Sequence, residues 1–573
     1  MQTAPQALRG GPVYDVVVIG SGAGGGTMVQ VLTKLGVNVA LIEAGPMLNP
    51  GRDFKEHKTP FDYEHRGGLE GGIYTTDPNR PFSFFSAPNG YWNLEGEPYT
   101  VAPGSNFTWF RSRILGGRTN HYGRISLRFS DYDFAPRKMD GLGEDWPITY
   151  EDVAPYYDKA EAFIGVTGTK EGIRTAPDGV FQTPPPPRVH EVLVQRAGKQ
   201  LGIPVIPCRL AIITKPTNGR VPCHYCGQCG RGCVTASNYS SSQVQIFPAM
   251  KTGKLKIFPN AMARELITDG PGKVKAVSYI DKTTRTEKQI RCRAVVLAAS
   301  ACESARLMLN SKGPGYTNGL GNSSGVIGRY LMDSVGYDVS GYVPALEGMQ
   351  RHDTDGFGGG HLYMPWWEFD KKNKEFPRGY HIEIGGGYGM PGVGTFHGAC
   401  EQHQGYGKNL KQFIRSKYGT TVGLSGRGEM IPNKDTFCEI DPNVVDRWGI
   451  PVLRFHFKWT ENETRMAKHM HDTFAAIYKQ MGGEMIGVRN DKHESGISIG
   501  GAIIHEVGVA RMGNDPKTSA VDGYGQSHDV KNLFVTDGAT FVSNPDKNPT
   551  LTICALAWRT AEFLAEELRK GNV

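Results

Sequence analysis

The 573-residue chain contains no run of about 18 apolar residues, so the sequence offers no membrane-spanning helix. It has no dense basic block, and Lys and Arg exceed Asp and Glu by only 64 − 57 = 7, which argues against a nucleic-acid-binding protein. The glycines follow no collagen-like period, and no repeat of roughly 20–50 residues is found. With 39% hydrophobic residues, the chain is instead typical of a large, loop-rich globular enzyme.

We also expect neither a secretion signal nor a disulfide framework. The first fifteen residues, MQTAPQALRGGPVYD, contain neither an apolar segment nor paired arginines. We therefore expect a cytoplasmic chain, unless a partner carries it across a membrane. Of the ten cysteines, four fall within the eleven residues 223–233, which is not the layout of a disulfide framework.

Glycine and proline, in contrast, are abundant: 75 Gly and 36 Pro make up 111 of the 573 residues. The first glycine cluster directly follows the β-branched run 16–19, which predicts a buried strand. Gly20, Gly22 and Gly25 then form a G-x-G-x-x-G pattern that opens a predicted helix. Such glycines permit a tight turn, close approach of the backbone to a pyrophosphate and tight helix–sheet packing. The pattern therefore predicts a dinucleotide site.

An acidic residue follows this pattern at the expected distance. The second predicted strand, 37–42, ends at Glu43, which is 18 residues after Gly25. A carboxylate at this position accepts hydrogen bonds from ribose hydroxyls and repels a 2′-phosphate. We therefore expect FAD or NAD rather than NADP, and an ordinary tight turn is the alternative.

Several further segments carry motifs with defined spacing. In sequence order they are Arg113-Ile-Leu-Gly116-Gly117-Arg-Thr-Asn120-His121-Tyr122, His505-x-x-Gly508-x-x-Arg511-Met512-Gly513, KNLFVTD at 531–537 and Asn548-Pro549-Thr550-Leu551-Thr552. The glycine loop, WPITYEDVAPYYDKAE at 146–161 and AVVLAASACESARLMLNS at 294–311 complete a set that spans nearly the whole chain. On these motifs the chain resembles the glucose–methanol–choline (GMC) flavoprotein oxidoreductases.

The resemblance implies a fold and a domain order. The expected class is α/β (α+β), with a Rossmann-like FAD-binding domain and an interleaved substrate domain built on an antiparallel sheet. The expected FAD-binding segments are 1–160, 221–330 (which contains the Cys-rich loop 223–233) and 496–573. The expected substrate-domain segments are 161–220 and 331–495.

The resemblance also assigns residues to the cofactor. Besides the glycine turn and Glu43, it places at the FAD the residues Gly116, Gly117, Asn120, His121, Asp537, Pro549 and Thr550. In a subgroup that resembles pyranose oxidases, a histidine at the position of His121 carries the flavin covalently. The alternative is a loop histidine that packs against a non-covalent flavin.

The chemistry implied by the resemblance is removal of hydride from an alcohol carbon. Hydride transfer to the flavin requires a base for the hydroxyl proton, and histidine has a suitable pKa near neutrality. By resemblance, His505 is this base, and Asn548 orients the substrate oxygen through hydrogen bonds, because an amide cannot act as a base. The alternatives are a core histidine at 505 and a helix N-cap at Asn548.

The cysteine cluster has C-x2-C-x2-C-x3-C spacing and consists of Cys223, Cys226, Cys229 and Cys233. This spacing matches the bacterial ferredoxin run, except that Val234 replaces proline. We expect an iron–sulfur cluster here. Three ligands from this run predict either a three-iron centre or a fourth ligand from elsewhere, with Cys208 and His224 as candidates. The alternatives are a zinc site or a metal-free loop.

The second domain carries the candidate substrate ligands. Aromatic and charged side chains suit a sugar ring, and Tyr363, Glu383 and Arg427 are the candidates. The alternative for Arg427 is a surface ion pair with Glu429. The chain most resembles bacterial glycoside 3-dehydrogenase and sugar dehydrogenase flavoprotein subunits, in which a small partner subunit supplies the export signal and a cytochrome accepts the electrons.

We therefore expect FAD-dependent oxidation of a secondary alcohol of a sugar or glycoside to the ketone, with electrons leaving through a cysteine-ligated cluster. Export with a partner would make the chain periplasmic rather than cytoplasmic. One alternative is a sugar or alcohol oxidase of the same family, with a metal-free loop and hydrogen peroxide as product. Another is a non-catalytic carrier that binds flavin or metal.

Overall fold

The computed structural model describes residues 12–54, 56, 62, 94, 96–268, 270, 272–349, 356–369, 371, 375–389, 399–400, 403, 405–488 and 496–573. The described strands are, in chain order, β1 (Val13–Ile19), β2 (Val39–Ile42), β3 (Thr100–Val101), β4 (Val166–Thr167), β5 (Phe181–Gln182), β6 (Ile206–Pro207), β7 (Leu255–Phe258), β8 (Ala261–Thr268), β9 (Val274–Asp281), β10 (Thr286–Leu297), β11 (Val335–Tyr342), β12 (Leu362–Met364), β13 (Tyr380–Gly386), β14 (Thr421–Gly428), β15 (Phe437–Val445), β16 (Pro451–His456), β17 (Glu484–Val488) and β18 (Leu533–Val535). The described α-helices are α1 (Ala23–Lys34), α2 (Pro50–Asp53), α3 (Asp131–Phe134), α4 (Pro136–Asp140), α5 (Tyr150–Ile164), α6 (Val189–Leu201), α7 (Phe247–Met250), α8 (Ala301–Asn310), α9 (Gly407–Lys417), α10 (Glu461–Gln480) and α11 (Thr550–Lys570).

The largest sheet combines parallel and antiparallel pairs. In it, β7, β2, β1 and β10 are successive parallel neighbours, and β18 pairs in parallel with the end of β10. The other part of β10 pairs with β9, and β9 pairs in turn with β8; both pairs are antiparallel. Val16 and Val18 of β1 pack with Met28 of α1 and Leu564 of α11, whereas Val17 enters the core cluster on the opposite face. The strand is therefore buried on both faces, as its β-branched sequence predicts.

A second, six-stranded sheet is antiparallel throughout, in the order β17-β11-β14-β13-β12-β6. Helix α10 packs against one of its faces. A Cβ atom at Gly426 or Gly428 would lie 2.5 Å from Met470 Sδ or 2.2 Å from Met466 Sδ, so these glycines let the helix approach the sheet. The opposite face is left for polar residues of β11, β13 and β14.

The predicted fold class, a Rossmann-like sheet combined with an antiparallel sheet, is confirmed. The division into five segments stays a prediction. β6, from the segment 161–220, joins the six-stranded sheet, whereas β15 and β16, from the segment 331–495, form a separate sheet with β3 of the first segment. The predicted limit at 495 adjoins residues 491–495, which lie outside the described residues. In the part of the chain that the structure describes, no helix combines the length and the apolar character needed to cross a bilayer.

The glycine turn after β1 is held by contacts that exclude side chains. Gly20 has φ +95°, and a Cβ atom there would lie 2.3 Å from the carbonyl oxygen of Ala298, just after β10. A Cβ atom at Gly24 would lie 2.0 Å from the carbonyl oxygen of Thr536, just after β18, and one at Gly25 would lie 1.9 Å from that of Gly20. The turn is therefore pressed between the ends of two parallel strands.

We expect Gly25→Ala to lower the free energy of unfolding by about 1–3 kcal/mol, because its methyl group overlaps the Gly20 carbonyl oxygen. Gly22→Ala is the matched control, since among the described residues no heavy atom outside its chain neighbours lies within 4 Å of its Cβ position. Chemical denaturation of both variants without added cofactor measures the difference. Equal stability of the two variants would contradict the close contact.

Candidate active site

A cavity of about 680 Å³ contains both the glycine turn and the predicted catalytic residues. Its wall includes Gly20, Gly22 and Glu43 as well as His505 and Asn548. The volume lies in the range of small-molecule and cofactor sites, roughly 300–1,000 Å³. The residues that the sequence assigns to cofactor binding and to catalysis therefore line one cavity.

His505 and Asn548 face each other in this cavity. Asn548 Nδ2 lies 3.3 Å from His505 Nε2, and Ser334 Oγ lies 2.9 Å from His505 Nδ1. The backbone N–H of His505 donates to Asp333 Oδ1 over 2.9 Å. Both ring nitrogens and the backbone of His505 are thus held by polar contacts, which fixes the imidazole against the cavity.

The structure does not support the alternatives considered for this pair. His505 lies on the cavity wall rather than in a core cluster. The N-cap position of α11 is occupied by Pro549, and no side chain caps this helix. The amide of Asn548 is therefore directed to His505 and Glu383 instead of the helix end.

Burial determines the charge of the groups around His505. Removal from water lowers the pKa of His505 to about 3; the charge of Glu383 raises it and that of Arg427 lowers it. Burial likewise raises the pKa of Asp333 to about 7, and the carboxylate of Glu506 adds to this shift. The imidazole is therefore neutral at neutral pH and has one ring nitrogen free to accept a proton.

Three charged residues of the antiparallel sheet line the same cavity. Arg427 Nη1 lies 3.0 Å from Asp338 Oδ1, and Arg427 Nη2 lies 3.7 Å from Glu383 Oε2. Glu383 Oε1 lies 3.3 Å from both Asn548 Nδ2 and His381 Nε2. Burial by itself would raise the pKa of Glu383, but the charge of Arg427 and these hydrogen bonds outweigh it and lower the pKa to about 2.

The proposed surface ion pair of Arg427 and Glu429 is wrong. Glu429 is only 3% exposed and pairs with Arg378, while Arg427 pairs with Asp338. Of the three candidate substrate ligands, Glu383 and Arg427 line the cavity. The third, Tyr363, is 1% exposed and packs in a core cluster away from the cavity.

The part of the cavity near the glycine turn fits a dinucleotide. In the part of the chain that the structure describes, no heavy atom outside the chain neighbours lies within 4 Å of the Cβ position at Gly22, so a ligand can approach its backbone there. Arg111 lines the same cavity, and its Nε and Nη1 atoms have no hydrogen-bond partner among the described residues. A buried cation with unused N–H groups suits an anion such as a pyrophosphate.

Two predicted cofactor carboxylates line the cavity but also bond to the protein itself. Glu43 accepts hydrogen bonds from the Ser21 hydroxyl and from the backbone N–H of Gly45, the latter over 2.8 Å, and burial raises its pKa. Asp537 accepts the backbone N–H of Ala539 over 2.9 Å, and burial raises its pKa to about 6. These carboxylates fix the turns that form the cavity wall.

The other predicted cofactor residues fall into two groups. Those on the cavity wall are Gly117, His121, Pro549 and Thr550. Gly116, Gly25 and Asn120 lie behind the wall, where Asn120 Nδ2 donates to the carbonyl oxygens of Leu115 and Gly117 over 3.1 and 2.9 Å. Burial lowers the pKa of His121 to about 3. The cofactor roles of these residues stay predictions.

Several residues of the site were missed by sequence analysis. Ser334 and Asp338 carry no motif. Asp338 of β11 lines the cavity, and Ser334, just before β11, contacts His505 Nδ1; both positions depend on where β11 lies in the sheet. Arg118 lies inside a predicted motif, and its Nη1 atom lies 2.5 Å from Oε2 of Glu506, the residue after His505. The sequence signal that could have identified this ion pair is position: Arg118 lies within the motif at 113–122, and Glu506 directly follows His505.

The four clustered cysteines lie away from the cavity. Burial raises the pKa of the Cys223 thiol to about 12, and the charges of the other three thiols add to the shift, so the four groups are neighbours. Within the described ranges, however, no three of these sulfur atoms lie within 4.8 Å of one another. Four thiolates around one zinc ion must be closer, so the arrangement does not fit the zinc alternative.

A different group of ligand atoms does meet this distance. Atoms of Glu56, His224 and Cys226 lie within 4.8 Å of one another. Glu56 Oε1 also accepts the backbone N–H of Val234 over 2.8 Å, which ties a remote segment to the Cys-rich loop. The iron–sulfur cluster stays a prediction.

Comparison with known proteins agrees with the geometry of the cavity. The family model for GMC oxidoreductases matches residues 14–335 in its N-terminal part and residues 432–557 in its C-terminal part. The chain is 29% identical to 2-methyl-1,2-propanediol dehydrogenase of Mycolicibacterium austroafricanum, over 96% of this chain and 95% of that protein. It is 26% identical to the fructose dehydrogenase large subunit of Gluconobacter japonicus, over 97% of this chain and 98% of that protein.

A solved structure supports the fold. Pyridoxine 4-oxidase from Mesorbium loti superimposes with a TM-score of 0.62, covering 96% of this chain and 99% of that chain at 15% identity. The N-terminal match alone covers more than half of the chain and includes the glycine turn, and the C-terminal match includes His505 and Asn548. The predicted resemblance is thereby confirmed, and the chain belongs to the GMC oxidoreductase family.

Proposed function

We propose that this oxidoreductase uses FAD to oxidise a secondary alcohol of a sugar or glycoside to the ketone. The observation that carries the proposal is the single cavity in which the glycine turn and Arg111 lie together with His505 and Asn548. Two relatives are dehydrogenases of a 1,2-propanediol and of fructose, which supports a hydroxyl compound as substrate.

The residues of the chain prepare the hydroxyl group for hydride loss. Bound FAD supplies the hydride acceptor, the N5 atom of its ring. His505 is neutral and accepts the hydroxyl proton at Nε2, while Ser334 Oγ, 2.9 Å from Nδ1, accepts the other ring N–H. Asn548 Nδ2 lies 3.3 Å from Nε2 in the free site; when the substrate hydroxyl takes its place at Nε2, the N–H that pointed to Nε2 donates instead to the substrate oxygen as negative charge develops there, and the other N–H stays on Glu383.

The charged residues of the antiparallel sheet bind the rest of the substrate. Arg427 offers N–H donors and Asp338 offers a carboxylate acceptor on the same cavity wall, whereas both oxygens of Glu383 are directed to Asn548, His381 and Arg427. Neighbouring hydroxyls of a sugar ring both donate and accept hydrogen bonds, so they match this set. A simple aliphatic alcohol would leave these buried charges without new partners, which favours a polyhydroxylated substrate.

We also propose that Cys223, Cys226, Cys229 and Cys233 hold an iron–sulfur cluster. The ferredoxin-like spacing and the proximity of the four thiols support it. Such a cluster supplies one-electron transfer, which favours a dehydrogenase over an oxidase. A small partner subunit that provides export to the periplasm and a cytochrome acceptor stay predictions; the fructose relative, a large subunit, supports a partner.

Anaerobic mixing of the flavin-loaded protein with a panel of sugars and glycosides tests the proposed reaction. We expect at least one compound to bleach the flavin absorbance and to yield a ketone detectable by NMR. His505→Ala should retain the flavin but slow bleaching by about 10²–10⁴-fold, because the base is lost. If no alcohol reduces the wild-type flavin, the protein is a carrier and the proposal is wrong.

The pH dependence of flavin reduction tests the protonation state of His505. The neutral imidazole is the active form, so activity is lost only as the pH falls through its pKa of about 3. We therefore expect a level rate from pH 7 down to about pH 5, whereas a solvent-exposed histidine loses activity below about 6.5. Asp333 has a pKa of about 7, so its own titration could change the rate in the same pH range, and Asp333→Asn removes that contribution. A loss centred near pH 6.5 that persists in Asp333→Asn would contradict the buried, neutral base.

Iron and acid-labile sulfide analysis of anaerobically purified protein tests the cluster. We expect both elements, and broad absorption beyond the flavin bands. Cys226→Ser should abolish these signals, whereas Cys400→Ser, an exposed cysteine outside the loop, should retain them. Zinc bound through Glu56, His224 and Cys226, or absence of metal, would refute the cluster. Oxygen consumption with hydrogen peroxide as product would then establish the oxidase alternative.

A further inference from the structure

Glu383, on the antiparallel sheet, contacts Asn548 of the proposed catalytic pair. It lies on β13, and the register places both Glu383 and Asp338 of β11 opposite Ser425 of β14. Its Oε1 atom lies 3.3 Å from Asn548 Nδ2, and its Oε2 atom lies 3.7 Å from Arg427 Nη2. One oxygen is thus directed to the residue that orients the substrate, and the other to a cation.

Glu383 is ionised at any working pH. Its burial opposes ionisation, but the charge of Arg427 and the hydrogen bonds from His381 and Asn548 lower its pKa to about 2. An ionised carboxylate has no proton and accepts hydrogen bonds only. Any group that it contacts must therefore present a donor.

This restriction determines the orientation of the Asn548 amide. The amide has a donor end, Nδ2, and an acceptor end, Oδ1, and a 180° rotation exchanges them. With Nδ2 toward Glu383, the same nitrogen also reaches His505 Nε2 at 3.3 Å. The rotated amide would place Oδ1 against the carboxylate, which is repulsive. Among the described residues Oδ1 accepts no hydrogen bond, so nothing on that side holds the amide in place.

The orientation of the amide in turn determines the tautomer of His505. Because Asn548 offers an N–H to Nε2, this ring nitrogen must be the unprotonated one. The ring proton is then on Nδ1 and is donated to Ser334 Oγ over 2.9 Å. The opposite tautomer would place the proton on Nε2, where it blocks acceptance of the substrate proton.

We propose that Glu383 is a positioning residue: it sets the direction of the hydrogen bonds that run through Asn548 to His505, and thereby keeps His505 Nε2 unprotonated for the substrate hydroxyl. This role differs from the binding of a substrate hydroxyl, because it acts through Asn548. The inference rests on the proposed function, since it requires His505 to be the base.

The first test is the kinetics of Glu383→Gln. A glutamine amide presents either a donor or an acceptor to Asn548, so both orientations of Asn548 become populated. We expect kcat to fall by about 10- to 100-fold, the range for loss of a hydrogen bond to a charged group, with KM changed less than about threefold. Asp338→Asn, which removes the other carboxylate of Arg427 without a contact to Asn548, should change mainly KM. A raised KM with unchanged kcat in Glu383→Gln would show that it only binds substrate.

The second test asks whether the effect passes through Asn548. In an Asn548→Ala background, Glu383→Gln should reduce kcat by less than about twofold further, because the amide that it orients is absent. An independent role predicts that the two losses multiply, and that result overturns the proposal. Flavin content and thermal unfolding should be measured for each variant. If Glu383→Gln does not fold, Glu383→Asp is used in its place. The aspartate side chain is one methylene shorter, so its carboxylate lies farther from Asn548 and should lower kcat without a rise in KM.

A spectroscopic readout separates this proposal from the proposed reaction. In protein with ¹⁵N-labelled histidine, the His505 signals, identified by their loss in His505→Gln, report which ring nitrogen carries the proton. We expect the Nδ1–H form in the wild type and a mixture in Glu383→Gln, with or without substrate turnover. An unchanged tautomer in Glu383→Gln overturns the inference even if sugar oxidation is confirmed. If no sugar is oxidised, the proposed function fails, and the tautomer still reports the effect of Glu383 on His505.

Discussion

The active site depends on close backbone contact at the carboxyl ends of three parallel strands. The turn after β1 is pressed against Ala298 at the end of β10 and Thr536 at the end of β18, and only residues without a side chain fit there. This contact directs the start of α1 into the cavity. Asp537, the residue after Thr536, accepts the backbone N–H of Ala539 and so fixes the segment that follows β18. Any side chain at Gly20 or Gly24 would separate the strand ends, and the cavity wall formed by all three would be lost.

The second sheet contributes charge to a cavity that the first sheet shapes. Because α10 covers one face of the antiparallel sheet, charged residues such as Arg427 and Glu383 project from the other face toward His505. Asp333, just before β11, accepts the backbone N–H of His505 and so joins this sheet to the segment that carries His505. Burial strengthens electrostatic interactions here: the charge of Arg427 keeps the pKa of Glu383 at about 2, whereas burial and the nearby carboxylate of Glu506 raise the pKa of Asp333 to about 7.

Local sequence signals predicted much of this arrangement. The β-branched run before Gly20 predicts a strand buried on both faces, and the strand is so buried because helices and a second core cluster flank it. The glycine spacing predicts a turn with close backbone approach, which the structure contains. These two predictions succeeded because backbone geometry and short spacing are properties of neighbouring residues. The resemblance to the GMC family assigned His505 and Asn548 to catalysis; both line the cavity, and their catalytic roles stay predictions.

What the sequence alone determined is therefore the glycine turn and, through the family resemblance, the fold class; it also singled out His505 and Asn548, whose catalytic roles stay predictions. Only the tertiary structure brought Glu383 to Asn548, which is 165 residues away, and Ser334 to His505, which is 171 residues away. It also buried Tyr363 and separated Arg427 from Glu429, against expectation. The physical reason is strand register: which side chains of β11, β13 and β14 meet depends on pairing between distant segments, and no local pattern encodes that pairing.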